Sequence, residues 1–211
     1  MRITAFGATG GTGQHLVRQA LDAGHHVTVV VRDPARLGIA DHPRLGVVTA
    51  PTLADDAAVA AALDGQDAAV STLGRRSGGD PSVCADGARA IIAAMRKTDV
   101  RRLVVVTASG HVVDAGDGPV TRAAFKPLLG RFLRTNFADF ARTDEIVRAS
   151  GLDWTIMRPP RLTNGRQRPF RTDLDRNVRG GISIARADLA RAILDALADP
   201  ETAGHTVGLG Y

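Results

Sequence analysis

The sequence predicts an α/β chain, a doubly wound and mostly parallel sheet of the Rossmann kind, folded as a single domain over residues 1–211. Three observations carry this expectation. Short apolar runs recur along the chain with amphipathic helical stretches between them, the order in which right-handed crossovers bury a parallel sheet on both faces. The first run, residues 3–6, enters Gly7-Ala8-Thr9-Gly10-Gly11-Thr12-Gly13 and then a helix. No linker, internal repeat or low-complexity tract interrupts the chain, whose length one core can serve.

The elements follow in order. After the glycine-rich turn and its helix, residues 27–31 form a second strand that ends at Arg32, and Asp33-Pro34 reads as N-cap and first residue of a short helix. Strands at 45–49, 68–73 and 103–106 alternate with helices at 54–63 and 81–96. A helix from about residue 131 to 150 stops at Gly151, the position where a glycine accepts a left-handed backbone. Residues 154–157 form a strand that Arg158-Pro159-Pro160 ends, because proline cannot extend a ladder. A short strand at 182–184, a helix at 187–198 and a strand at 206–209 close the chain. This last part is expected to form a small substrate region. Residues 110–130 are the long irregular piece, a candidate lid, since long loops in compact domains are often functional.

The glycine-rich turn points to a dinucleotide. Gly7 lets the chain reverse tightly out of the strand, Gly10 leaves room for a diphosphate to approach the backbone, and Gly13 lets the helix pack closely on the strand. Helix N–H groups then face the phosphates, with Gly11 and the hydroxyls of Thr9 and Thr12 beside them. The spacing is G-x-x-G-x-x-G, so the G-x-G-x-x-G fingerprint is matched in logic and not in letter. A free ribose 2′-hydroxyl is usually held by an acidic side chain at the end of the second strand, whereas a 2′-phosphate needs a cation there. This chain has Arg32 at that place and Arg36 a helical turn further on. NADP(H) is therefore the expected cofactor.

In such a sheet, ligands lie outside the carboxyl ends of the strands. The residues found there are Thr52 and Leu53, then Leu73, Gly74 and Arg76, then Thr107, Ser109 and His111, and finally Pro159 and Arg161. Leu73-Gly74 offers a backbone seat for the cofactor. Ser109 falls where an acceptor would meet the nicotinamide, and His111 and Arg161 are the expected substrate contacts. The only tyrosine is Tyr211, so the Tyr-x-x-x-Lys pair that protonates a developing alkoxide in carbonyl reductases is absent. An acceptor that spreads the added charge itself, such as a flavin, quinone or tetrapyrrole, needs no such pair.

Composition narrows the alternatives. The formal net charge is +5, but only Lys97 and Lys126 are lysines and aromatic residues make up 4%, which leaves no basic stripe with stacking residues for nucleic acid. Arg158, Arg161, Arg166, Arg168, Arg171 and Arg176 cluster in a stretch that reads as a solvated loop or as an anion-attracting rim. No apolar run of about 18 residues and no basic-then-apolar leader is present, so a cytoplasmic chain without membrane contact is expected, and a monomer accommodates these features. The single cysteine, Cys84, excludes an internal disulfide and a cysteine-based zinc site. It reads as a core residue. His15, His25, His26 and His42 show no metal-ligand spacing, so no metal is expected. Ser109, His111 and Asp114 lie too close in sequence for triad geometry, and no nucleophile elbow accompanies them.

Taken together, these motifs resemble the atypical short-chain dehydrogenase/reductases with an NAD(P)H-binding domain, and among them the biliverdin-IXβ reductase and NADPH-dependent flavin reductase group. The resemblance rests on the glycine turn, Val27-Thr28-Val29-Val30-Val31-Arg32-Asp33, Gly65-Gln66-Asp67-Ala68, Leu73-Gly74, Gly87-Ala88-Arg89, Thr107-Ala108-Ser109, Arg148-Ala149-Ser150-Gly151-Leu152 and Pro159-Pro160. It implies that Ser109 lies beside the nicotinamide and takes part in catalysis, and that Arg32, Leu73, Gly74 and Arg76 contact the cofactor. The departures fall on Ala50-Pro51-Thr52-Leu53, where a Gly-Asp pair is usual, and on Arg161 and Phe140, which stand in place of site histidines. NmrA-like relatives share a similar turn and imply a second reading, a non-catalytic redox sensor that holds a protein partner. A nucleotide-sugar epimerase is disfavoured by the missing tyrosine and the short substrate lobe.

Overall fold

The computed structural model describes residues 1–75, 78–113 and 134–211. β1 (Arg2–Phe6) lies between β2 (His26–Val31) and β4 (Ala68–Ser71), parallel to both. β3 (Leu45–Thr49) extends the sheet beyond β2, and β5 (Arg102–Val106) and β6 (Asp153–Arg158) extend it beyond β4. β10 (His205–Gly210) pairs parallel with β6, and β8 (Arg171–Leu174) closes that edge antiparallel to β10. The eight-stranded order is β3-β2-β1-β4-β5-β6-β10-β8. β7 (Arg161–Thr163) and β9 (Ser183–Ala185) form a separate parallel pair.

Alternation along the central strands explains the layers. Ile3, Ala5, Val27, Val29, Val104 and Met157 pack with Leu16 and Val17 of α1 (Gly11–Asp22) and with Leu189 and Ile193 of α5 (Arg186–Ala198). Phe6, Val30, Ala69, Leu103, Val105 and Ile156 pack on the opposite face. Their partners are Val59 and Leu63 of α2 (Asp56–Leu63), Ile91 and Met95 of α3 (Val83–Lys97), and Val147 of α4 (Arg134–Arg148). Successive strand residues point to opposite faces, so strands that are apolar at nearly every position mark a sheet covered on both sides. Thr4 is the buried polar residue of β1, and its hydroxyl donates to the Ala62 carbonyl at 2.6 Å.

The predicted doubly wound sheet is thus observed, with β8 as its antiparallel strand. Gly151 follows α4 at φ +72°, and Asp33 caps the turn Pro34–Arg36 by accepting the Ala35 N–H at 3.1 Å. The first residues of the helix predicted from 131, and all of the candidate lid beyond Val113, lie outside the described residues.

Sequence periodicity missed β7 and β8. Both lie in the arginine-rich stretch, and an exposed, charged edge strand carries no apolar alternation to read. That stretch is neither one loop nor one rim. Arg158 ends β6 and is buried, the Arg168 guanidinium lies 3.5 Å over the Tyr211 ring, Arg171 donates to the Tyr211 carbonyl at 2.9 Å, and Arg176 pairs with Asp173 at 3.3 Å.

Candidate functional site

Strand order reverses between β1 and β4, which opens a crevice at their carboxyl ends. The chain leaves β1 through Gly7 at φ +80°. A Cβ there would come within 2.7 to 2.9 Å of the Thr72 and Leu73 backbone, so the end of β4 rests on the turn. The Gly10 N–H donates to the Gly7 carbonyl at 2.9 Å, and a Cβ on Gly13 would collide with that same carbonyl. α1 therefore starts flush against the turn. Gly10 is its N-cap, and its first turn contains no acidic residue, so the positive end of the helix faces the crevice without a carboxylate of its own. Thr12 is buried beneath it.

A cavity of about 600 Å³ opens above this turn, a size typical of small-molecule sites. Gly7, Thr9, Gly10, Arg32, Thr52, Leu53, Leu73 and Gly74, all expected there, line it. α3 adds Val83, Gly87 and Ala90, which sequence reasoning missed. A Cβ on Gly87 would meet the tip of the Leu73 side chain, so Leu73 lies close over α3 at this point, and the glycine in an alanine-rich helix was the one signal for it. Arg32 is exposed on the wall and forms no ion pair among the described residues. Asp33 accepts its capping bond through Oδ1, and neither Asp33 nor the exposed Arg36 lines the cavity. The Thr52 hydroxyl accepts the Ala54 N–H at 3.2 Å. Two carboxylates share the wall: Asp86 pairs with Arg89 at 2.6 Å, and Asp80 accepts the N–H and hydroxyl of Ser82.

The ends of β5 and β6 are built differently. The Thr107 N–H donates to the Met157 carbonyl and the Ser109 N–H to the Pro159 carbonyl, both at 2.9 Å, which ties the two strand ends together. Thr107 is buried, and its hydroxyl has no partner among the described residues. His111, expected at the substrate, is turned inward. Its side chain is 4% exposed, and Nε2 lies 3.0 Å from Oδ2 of buried Asp144. Nη2 of Arg158 donates to the same oxygen at 2.5 Å. Burial alone would raise the Asp144 carboxyl, but the His111 hydrogen bond and the Arg158 charge outweigh it and hold the group below the usual carboxylate range. α4 brings Asp144 there on a stripe of buried Asp139, Thr143, Asp144 and Val147. Polar residues at helical spacing where apolar ones are usual were the available signal.

Arg161 opens β7 opposite Ser183 and is exposed, and Arg76 lies outside the described residues. Tyr211 is structural. Its hydroxyl donates to Asp188 at 2.6 Å and accepts the Ala185 N–H at 2.9 Å. Cys84 is buried, and burial pushes its thiol up. Among the described residues no cluster of three or more histidines, cysteines or carboxylates could hold a metal ion, and no helix is long and apolar enough to cross a membrane.

A parallel sheet in this order, with a glycine turn under a crevice and an unaccompanied helix terminus facing it, defines a nucleotide-binding domain of the Rossmann class. The chain belongs to the NAD(P)H-binding family, whose model matches residues 7–200. The uncharacterized sugar epimerase YhfK of Bacillus subtilis is 29% identical over 213 residues, covering 96% of this chain and 90% of its own. A Burkholderia pseudomallei protein structure superposes with a TM-score of 0.83 at 27% identity, with 100% of both chains covered. A Veillonella parvula short-chain dehydrogenase/reductase solved in complex with NADP shares the fold, with a TM-score of 0.79, 19% identity, and 100% and 94% coverage.

Proposed function

We propose that the chain is an NADPH-dependent oxidoreductase that delivers hydride to a planar conjugated acceptor, a flavin or a similar ring such as a quinone or tetrapyrrole. Arg32 carries the choice of cofactor. It stands on the cavity wall without a partner among the described residues, while the neighbouring carboxylate of Asp33 is held in a cap. A cation at this point favours a ribose 2′-phosphate, and an available carboxylate would have favoured the 2′-hydroxyl. The residues present fit the dinucleotide. The space above Gly7 and Gly13, the open end of α1 and the apolar floor of Leu53, Leu73, Val83 and Ala90 suit a diphosphate and a purine. The NADP complex of the Veillonella protein accords with this cofactor.

NADPH supplies a hydride when bound. On the acceptor side the chain contributes Ser109, whose backbone is fixed to Pro159 and whose hydroxyl orients the ring. Solvent delivers the proton, because Tyr211 is engaged by Asp188 and Ala185. The same engagement weighs against the epimerase activity that the name of YhfK raises, since no tyrosine is free for acid–base work at a sugar carbon. Anaerobic stopped-flow mixing with NADPH and FMN, riboflavin or a quinone tests the reading. NADPH oxidation by at least one acceptor is expected, and the Ser109→Ala variant, which loses the orienting hydroxyl, should be slower by about 100-fold with NADPH affinity unchanged. Tight NADPH binding without turnover of any acceptor would replace this reading by a partner-binding sensor.

A further inference from the structure

Gly7 and Gly13 are demanded by backbone, whereas Gly11 is overlain by a side chain from late in the sequence. A Cβ on Gly11 would lie 2.7 Å from Cδ and 3.0 Å from Nε of Arg186, so this arginine crosses the first residue of α1 in contact. Arg186 is itself the first residue of α5, and its Nη1 donates to Oδ1 of Asn164, just beyond β7, at 2.7 Å. The guanidinium is thus placed at the amino ends of two helices, where positive charge is disfavoured. No carboxylate among the described residues pairs with it. The first turn of α1 has none to offer. Asp188, in the first turn of α5, is engaged by the Arg168 N–H at 3.1 Å, the Tyr211 hydroxyl at 2.6 Å and Arg191 at 3.4 Å. The cavity reaches Thr9 and Gly10, next to Gly11, and stops short of Arg186; an anion seated between the arginine and the helix terminus would balance both.

We propose that Arg186, steadied by Asn164, is a clamp on the diphosphate of the bound dinucleotide. The cofactor then lies between the glycine turn at one end of the chain and the β9–α5 junction at the other, and Gly11 is the residue that lets the clamp cross. The inference rests on the NAD(P)H-binding assignment and is independent of the acceptor.

Titration calorimetry of NADPH and of 2′-AMP, a probe with no diphosphate, into wild type and variants tests it. Arg186→Ala is expected to weaken NADPH about tenfold and to leave 2′-AMP unchanged, whereas Arg32→Ala weakens both. Arg186→Gln retains most of the packing, and the same pattern is expected from it should the alanine variant unfold. Gly11→Ala pushes the clamp aside, so it should weaken NADPH in the wild-type background and add little in Arg186→Ala. NADPH binding within twofold of wild type in both Arg186 variants, or additive effects of Gly11→Ala and Arg186→Ala, overturns the clamp alone. A wild-type protein that binds neither NADPH nor NADH overturns the cofactor assignment together with it.

Discussion

The carboxyl edge of the sheet is built in two contrasting ways. Over β1, β2 and β4 it is open: a cavity of about 600 Å³ is walled largely by backbone and small apolar side chains, with Arg32 exposed upon it. Over β5 and β6 it is closed by side chains, with His111, Asp144 and Arg158 locked together at 3.0 and 2.5 Å and almost wholly buried. The open half holds its shape because glycine backbone sets it, and Arg32 remains available to a ligand. The closed half holds its shape because Arg158 and His111 hold the Asp144 carboxylate, so its polar groups serve the fold, and the Ser109 N–H bond to the Pro159 carbonyl ties the strand ends beside it. Binding and stability are therefore expected to respond to different substitutions.

The largest expected effect is on the closed half. Asp144→Asn leaves Arg158 buried without its carboxylate, a loss of about 3–5 kcal/mol that should lower the thermal midpoint by on the order of 10 °C. A shift under about 2 °C would mean that the cluster is not structural. Because the Asp144 carboxyl is held below its ordinary value, its stabilisation is present above the unfolded value of about 4 and is lost as pH falls through the lower folded value. Urea melts from pH 7 to pH 3 should show a constant gap between wild type and variant above about pH 5 that narrows in acid. A gap that widens in acid would contradict that sign. Next comes Gly7→Ala, which forces a side chain into a left-handed backbone and against Thr72. It should destabilise by about 1–3 kcal/mol and weaken NADPH more than tenfold, as read by denaturant melts and titration. Unchanged NADPH affinity in the folded variant would break the link between the turn and the cofactor.

The same contrast governs what could be read from sequence. The open half was legible because strand periodicity and glycine spacing are local, and a glycine turn between an apolar run and a helix has few physical solutions. The cavity wall from Gly7 to Gly74 was named on that basis. The contributions of Val83 and Ala90 were not, because only helix packing decides which face of α3 looks into the crevice. His111 was expected to face a substrate, yet Asp144 lies 33 residues away, and no local pattern announces that pairing. β7 and β8 were lost for a related reason: their residues are charged or half-exposed, and pairing rather than composition makes them strands.

Arg32 offers the most direct test of the proposed cofactor preference, since it stands exposed on the cavity wall and its loss leaves the core untouched. NADPH and NADH should be titrated into wild type and Arg32→Ala under identical salt, because the contact is exposed and screened. Wild type is expected to bind NADPH about tenfold or more tightly than NADH. The variant is expected to bind the two equally, with its stability within about 0.5 kcal/mol of wild type. Equal affinities in wild type, or a preference that survives the loss of Arg32, would contradict a 2′-phosphate contact at Arg32.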